Sequence, residues 1–141
     1  MLLHIIAVGR IGRSPEAELV ARYAARLGPS LRITELSEQK AQRLPPPEGG
    51  VRTVVLDERG KMLSSEAFAA RLGAWRDEGV REVRFLIGGA DGHADEVRQS
   101  ADLLLSFSPM TWPHMLVRSM LAEQLYRATS ILANHPYHRG N

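Results

Sequence analysis

"VRFLIGGADGH", Val83 to His93, decides how the rest of the chain is read. A short, mostly apolar run (Val83 to Ile87) goes straight into Gly88 and Gly89, with Gly92 just beyond. A run of that length bounded by turn residues reads as a buried strand. A short helix is expected after the turn, around Ala94 to Ser100. The glycines let a backbone approach a ligand closely, and the same glycines equally serve a tight turn between strand and helix. Their spacing matches neither dinucleotide nor nucleoside-triphosphate loops, and no lysine is there to meet a phosphate. NAD and ATP sites are therefore poorly supported.

Working outward, "LLHIIAV" (Leu2 to Val8), "LRITEL" (Leu31 to Leu36), "VRTVVL" (Val51 to Leu56) and "LLLSF" (Leu103 to Phe107) read as four more strands. Helices fall between them. Ser14-Pro15-Glu16 supplies a cap, a proline and a first-turn acid for a helix to Leu27, with Val20, Ala24 and Leu27 on one face. Ser64 or Ser65 caps a helix carrying Phe68, Leu72 and Trp75. The last helix starts near His114 and runs to about Ala133, with a seam of Val117, Leu121, Leu125, Ala128 and Leu132. Ser37 to Gly50, rich in proline and glycine at its end, reads as a surface loop. The alternation predicts one α/β domain over residues 1–141, a mainly parallel sheet flanked by helices. Such sheets bind ligands outside the carboxyl ends of their strands, here after Leu56, Ile87 and Phe107.

Composition bounds the function classes. The chain has 141 residues, 44% hydrophobic and 24% charged, as expected of a globular protein. It has no cysteine, which excludes disulfides and thiolate metal sites and fits a reducing cytoplasm. No His/Asp/Glu cluster has metal-ligand spacing. The start "MLLHIIAVGR" is too short and wrongly flanked for a signal peptide or a membrane span. A net charge of +2 permits a nucleic-acid partner without demanding one. Arg10, Arg13, Arg22 and Arg26 form either a basic face or a solvated helix side.

Three segments carry possible chemistry. "SFSPMTWPHMLVR" (Ser106 to Arg118) leaves a strand through Pro109 and Pro113, which stiffen the loop. Its many carbonyls and few charges suit an uncharged planar ring such as adenine, or else make a rigid connector packed by Met110 and Trp112. On the last helix Glu123 and Arg127 are spaced to pair on a solvated face. Arg118 opposes the helix dipole, so another group must hold it. The closing "NHPYHR" (Asn134 to Arg139) either frays after Pro136 or forms a site from Tyr137, His138 and Arg139.

"VGR" after the first strand, "LD" after the third, "LIGGADG", "PHMLVR", "LAEQLYRA" and the closing "NHPYHR" together resemble the ribosomal large subunit methyltransferase H family of the SPOUT superfamily. The resemblance is densest from Val83 to Arg139. It implies a SPOUT-type fold with a C-terminal trefoil knot, a homodimer, and S-adenosylmethionine as methyl donor. The implied reaction is methylation of N3 of a pseudouridine in large-subunit ribosomal RNA. A small domain of modest charge would bind RNA weakly by phosphate contacts alone, so the expected substrate is a folded one, an assembled ribosome. The implied cofactor contacts are Leu56, Gly88, Phe107, Ser108, Pro109, Met110, Thr111 and Trp112, with no metal. Two departures stand out. Family members have a longer helical segment where Ser37 to Gly50 is short, and often carry a proline where this chain reads "GGADG".

Methylation of a uracil N3 requires loss of its proton, or stabilisation of the charge that develops on O2 and O4. Tyr137, His138, Arg139, Arg118 and Glu123 are the side chains of the right types, the tail forming the substrate-side wall in its own subunit or across a dimer; either one of them is the base or solvent takes the proton. A SPOUT methyltransferase acting on transfer RNA and a non-catalytic RNA- or nucleotide-binding module are the competing readings. Gly140 and Asn141 extend past the motif and are expected to be dispensable.

Overall fold

The computed structural model describes residues 1–139, so Gly140 and Asn141 lie outside the described residues. Five strands form one sheet: β1 (Leu2–Val8), β2 (Leu31–Leu36), β3 (Val51–Met62), β4 (Glu82–Ile87) and β5 (Leu103–Ser106). Their order is β2-β1-β4-β3-β5 and every pairing is parallel. The helices are α1 (Pro15–Leu27), α2 (Glu38–Gln42), α3 (Ser65–Asp77), α4 (Asp95–Ser100) and α5 (His114–Leu132).

Register puts Ile5, Val54 and Phe85 side by side on one face of the sheet, all fully buried. Phe68, Leu72 and Trp75 from α3, and Leu121, Leu125 and Ala128 from α5, pack onto that face. α5 touches both α1 and α3, which sets it as the middle helix of that layer. Ser14 caps α1 by accepting the Ala17 N–H at 3.0 Å, and Ser64 caps α3 by accepting the Ala67 N–H at 3.0 Å.

Two elements differ from the sequence expectation. The Ser37–Gly50 segment is not all loop: Ser37 accepts the Lys40 N–H at 3.2 Å and opens α2. Five residues without an apolar stripe gave no periodic signal. β3 does not stop at Leu56 but continues to Met62. It pairs with β5 up to Leu56, leaves the ladder through the polar run Asp57 to Gly60, and pairs again at Lys61 and Met62. Gly60 permits this, because a Cβ there would lie 2.6 Å from the Leu104 carbonyl oxygen. That excursion sits at the carboxyl edge of the sheet.

Candidate functional site

At this edge the ends of β3, β4 and β5 enclose a cavity of about 600 Å³. Leu56, Gly88, Phe107, Ser108, Met110, Thr111 and Trp112 line it; Pro109 stands in the same loop but does not. His114 and Val117 close it from the start of α5. Met110 and Trp112 are exposed large apolar side chains at the cavity's edge.

The loop after β5 is fastened to the β3 excursion rather than free. Buried Ser106 Oγ accepts the Ser108 N–H at 3.1 Å and lies 3.1 Å from the Glu58 carbonyl oxygen. Thr111 Oγ1 donates to Glu58 Oε2 at 2.8 Å, and Ser108 Oγ accepts the Met110 N–H at 3.0 Å. The two prolines and these bonds together fix a wall of backbone groups.

The glycine turn folds back on itself. Gly92 N–H donates to the Gly89 carbonyl at 3.0 Å, and Gly88 N–H donates to His93 Nε2 at 3.1 Å. A Cβ on Gly88 would lie 2.8 Å from the Gly92 carbonyl oxygen. The turn itself therefore forbids a side chain at Gly88, whatever occupies the cavity. Asp57 also lines the cavity. Burial pushes its carboxyl up, but the Arg59 N–H and guanidinium and the nearby Arg98 outweigh that and hold it below the usual carboxylate range.

Arg118 is placed away from solvent, 1% exposed. Its Nη1 lies 2.5 Å from Glu35 Oε2 and its Nη2 donates to the Gly9 carbonyl at 3.1 Å, which explains how a cation sits in the first turns of α5. Glu35 also accepts the Ile11 N–H at 2.8 Å, and that bond, with the Arg118 guanidinium, holds its carboxyl below the ordinary value. Arg118 is thus committed to the ends of β1 and β2, and its Nε has no partner among the described residues.

The tail does not fray. Asn134, in the left-handed region at φ 57°, ends the helix, and the His135 N–H donates to the Ser130 carbonyl at 2.8 Å. Tyr137 OH donates to Glu123 Oε2 at 2.8 Å and lies 3.3 Å from the Tyr23 hydroxyl. Its ring meets Tyr126 edge-on at 4.7 Å. Glu123 and Arg127 do pair, at 2.6 Å, but half-buried rather than on a solvated face. Arg127 Nη1 lies 3.1 Å from His138 Nδ1, and His138 Nε2 lies 2.7 Å from Glu66 Oε1. A guanidinium only donates, so Nδ1 carries the lone pair and Nε2–H donates to Glu66. Burial, then the Tyr23 hydroxyl and the Glu123 carboxylate, push the Tyr137 phenol well up, so it stays a donor. Arg26 sits over the Tyr23 and Tyr126 rings at 5.4 Å each, and is not a merely solvated cation. Arg139 is exposed.

The structure does not bring tail and cavity together within one chain. The cavity lies at the start of α5 and the tail at its end, and a 19-residue helix is about 28 Å long. Glu123 instead borders a second cavity of about 520 Å³ with Tyr23 and Met120, which reaches Phe107 at its other end. Asp57, His93 and His114 are cavity residues that sequence reading did not assign. The "LD" after β3 was a signal for Asp57 and "PHMLVR" was one for His114; His93, just past "LIGGADG", had none. Among the described residues no group of three His, Asp or Glu could hold a metal ion, and no helix is long and apolar enough to cross a membrane.

Two solved structures share the fold of this chain. A probable methylase family protein from Haemophilus influenzae superposes with a TM-score of 0.58 at 10% identity, covering 96% of this chain and 69% of that one. The SpoU methyltransferase AviRb from Streptomyces viridochromogenes, solved in complex with the cofactor AdoMet, gives 0.52 at 14% identity, covering 91% and 58%. The fold is that of the SpoU-type methyltransferases. Residues 1–138 match the family model described as "Predicted SPOUT methyltransferase". Proteins named ribosomal RNA large subunit methyltransferase H are 63% identical over 139 residues in both Novosphingobium aromaticivorans and Rhizorhabdus wittichii, covering 99% of each chain. Another so named, from Rhodopseudomonas palustris, is 48% identical over 160 aligned residues, covering 99% of each chain. The chain belongs to the ribosomal RNA large subunit methyltransferase H family of SPOUT methyltransferases.

Proposed function

We propose that this protein transfers a methyl group from S-adenosylmethionine to N3 of a pseudouridine in large-subunit ribosomal RNA. The observation that carries this is the cavity built from the ends of β3, β4 and β5, in a chain whose 63% identical relatives are named for methylation of that RNA. The cavity has the size of a cofactor site, roughly 300–1,000 Å³. Its stiffened loop carries few charges and suits a neutral adenine, and Leu56, Gly88 and the Phe107–Trp112 loop would hold the cofactor. When bound, the cofactor supplies an electrophilic methyl on a sulfonium.

The remaining work falls to the chain. It must hold the nucleophilic nitrogen in line with that methyl. Tyr137, kept protonated, donates to a developing uracil oxygen once released from Glu123, and Arg139 supplies an exposed cation for the other. His138 can take the N3 proton at Nδ1 only by giving up Arg127. Arg118 supports the loop after β1 from its buried seat. Because α5 separates tail from cavity, we infer that the tail serves the cavity of a second subunit, in a homodimer. The same reading includes the trefoil knot that goes with this family. It also makes the assembled ribosome, in the cytoplasm, the substrate.

Incubation with labelled S-adenosylmethionine and assembled ribosomes, bare ribosomal RNA or transfer RNA tests this. The expected result is label in the large-subunit RNA of ribosomes, mapped by mass to N3 of one pseudouridine. Label in transfer RNA, or cofactor binding with label in neither, overturns it.

A further inference from the structure

His93 stands outside every role assigned above, yet it lines the cavity and is the partner of the first backbone N–H beyond β4. We propose that His93 is a positioning residue of the cofactor pocket: its neutral ring accepts the Gly88 N–H, fastens the glycine turn in its binding shape, and makes cofactor affinity depend on pH. This rests on reading the cavity as the S-adenosylmethionine site.

The geometry fixes the protonation state. Gly88 N–H points at Nε2 at 3.1 Å, so Nε2 must carry the lone pair and any ring proton sits on Nδ1. An imidazolium has no lone pair at either nitrogen, and protonation would set two N–H groups against each other. The turn has no slack to absorb this, because Gly88 already packs tightly on the Gly92 carbonyl and Gly92 is bonded to Gly89. The second anchor of the turn is on the same residue: the Arg98 guanidinium donates to the His93 carbonyl. His93 thus ties the end of β4 through its ring and α4 through its backbone.

The surrounding charges oppose one another. Asp57 from β3 favours the charged ring, as do the nearby backbone groups of Leu56 and Leu86, and Arg98 from α4 disfavours it. Glu58 and Arg59 from β3, Asp91 in the turn and His114 from α5 line the same cavity, and Asp95 neutralises part of Arg98. Burial decides the balance and pushes the His93 ring below the ordinary imidazole value. The sign follows. A base whose folded value is depressed keeps its full contribution at high pH. The contribution is lost as pH falls from the ordinary value of about 6.5 toward the lower folded value. Cofactor affinity should fall at lower pH still, as the ring of the folded, ligand-free protein takes up its proton.

Calorimetry with S-adenosylhomocysteine from about pH 7.5 to about pH 5 tests this on the wild type, His93→Gln and His93→Leu. The wild type should bind with constant affinity near neutrality and weaken as the pH falls, with its midpoint below that of a free imidazole. His93→Gln keeps an acceptor that does not titrate, and should bind within about threefold of the wild type at neutral pH with a flat profile. His93→Leu leaves the Gly88 N–H unpaired and should lose about tenfold at neutral pH, also with a flat profile. Nitrogen-15 spectra of the ligand-free wild type should show His93 Nε2 without a proton. A wild-type affinity in His93→Leu, the wild-type slope surviving in His93→Gln, or a proton on Nε2 would each overturn the proposal. A folded wild type that binds nothing at any pH would overturn the cofactor reading and this proposal with it.

Discussion

The carboxyl-edge cavity and the C-terminal cluster are built from opposite materials. The cavity is a backbone structure: a turn that excludes a Cβ at Gly88, a loop stiffened by two prolines, and hydrogen bonds from main-chain N–H groups. The cluster is a side-chain structure, in which Tyr137, His138, Glu123, Arg127 and Glu66 are joined through phenol, imidazole, guanidinium and carboxylate. The difference fits the tasks proposed for them. A neutral cofactor held for its shape is served by fixed dipoles. A proton and a developing charge need groups that titrate or donate. The first region should suffer from added atoms and the second from removed ones.

The largest effect should come from adding atoms to the cavity. Gly88→Val collides with the Gly92 carbonyl and should lower S-adenosylmethionine affinity at least a hundredfold, about 2.7 kcal/mol, by calorimetry. Unchanged affinity in a folded variant would remove Gly88 from the site. Next is removal from the tail. Arg139→Ala should slow methyl transfer by roughly a hundredfold and leave cofactor affinity alone, the size seen when one donor to a developing oxyanion is lost. Single-turnover rates with ribosomes, measured beside the affinity, separate the two.

Tyr137→Phe is smaller in stability terms. It deletes one hydroxyl bonded to Glu123 and should cost about 1 kcal/mol, or about 3 °C in Tm. A melting point equal to that of the wild type would mean the tail is not docked on α5 in solution. The smallest effect concerns neither region but the support between them. Glu35 is held low first by the Ile11 N–H, so its contribution is full above its ordinary value of about 4.5 and is lost as pH falls through its lower folded value. Thermal melts of Glu35→Gln from pH 6 to pH 3 should lack part of the wild-type slope. An identical slope would show that the loop after β1 does not depend on this carboxylate.

Much of the fold was legible because its strands are apolar runs with clear stops. Leu2–Val8 and Leu31–Leu36 appear with the bounds their sequence suggests. The part of β3 after Leu56 was hidden, since Asp57 to Gly60 is polar and its later pairing depends on a glycine approaching β5. The cavity was legible as three strand ends, because side-chain alternation and turn residues are local signals. The bond from Gly88 to His93 was not, since nothing in residue type tells where an imidazole turns. The tail was legible as chemistry but not as structure. That Tyr137 reaches Glu123 and Tyr23 depends on α1 and α5 packing together, residues 114 positions apart in the chain.

Cavity and tail should be separable, one binding and the other driving transfer. The direct test is the protein truncated after His135, assayed in one preparation for S-adenosylmethionine affinity and for single-turnover methyl transfer to ribosomes. Affinity should stay within about threefold of the wild type while transfer falls by at least about a hundredfold. Transfer at the wild-type rate, or affinity falling in step with transfer in a folded protein, would contradict it.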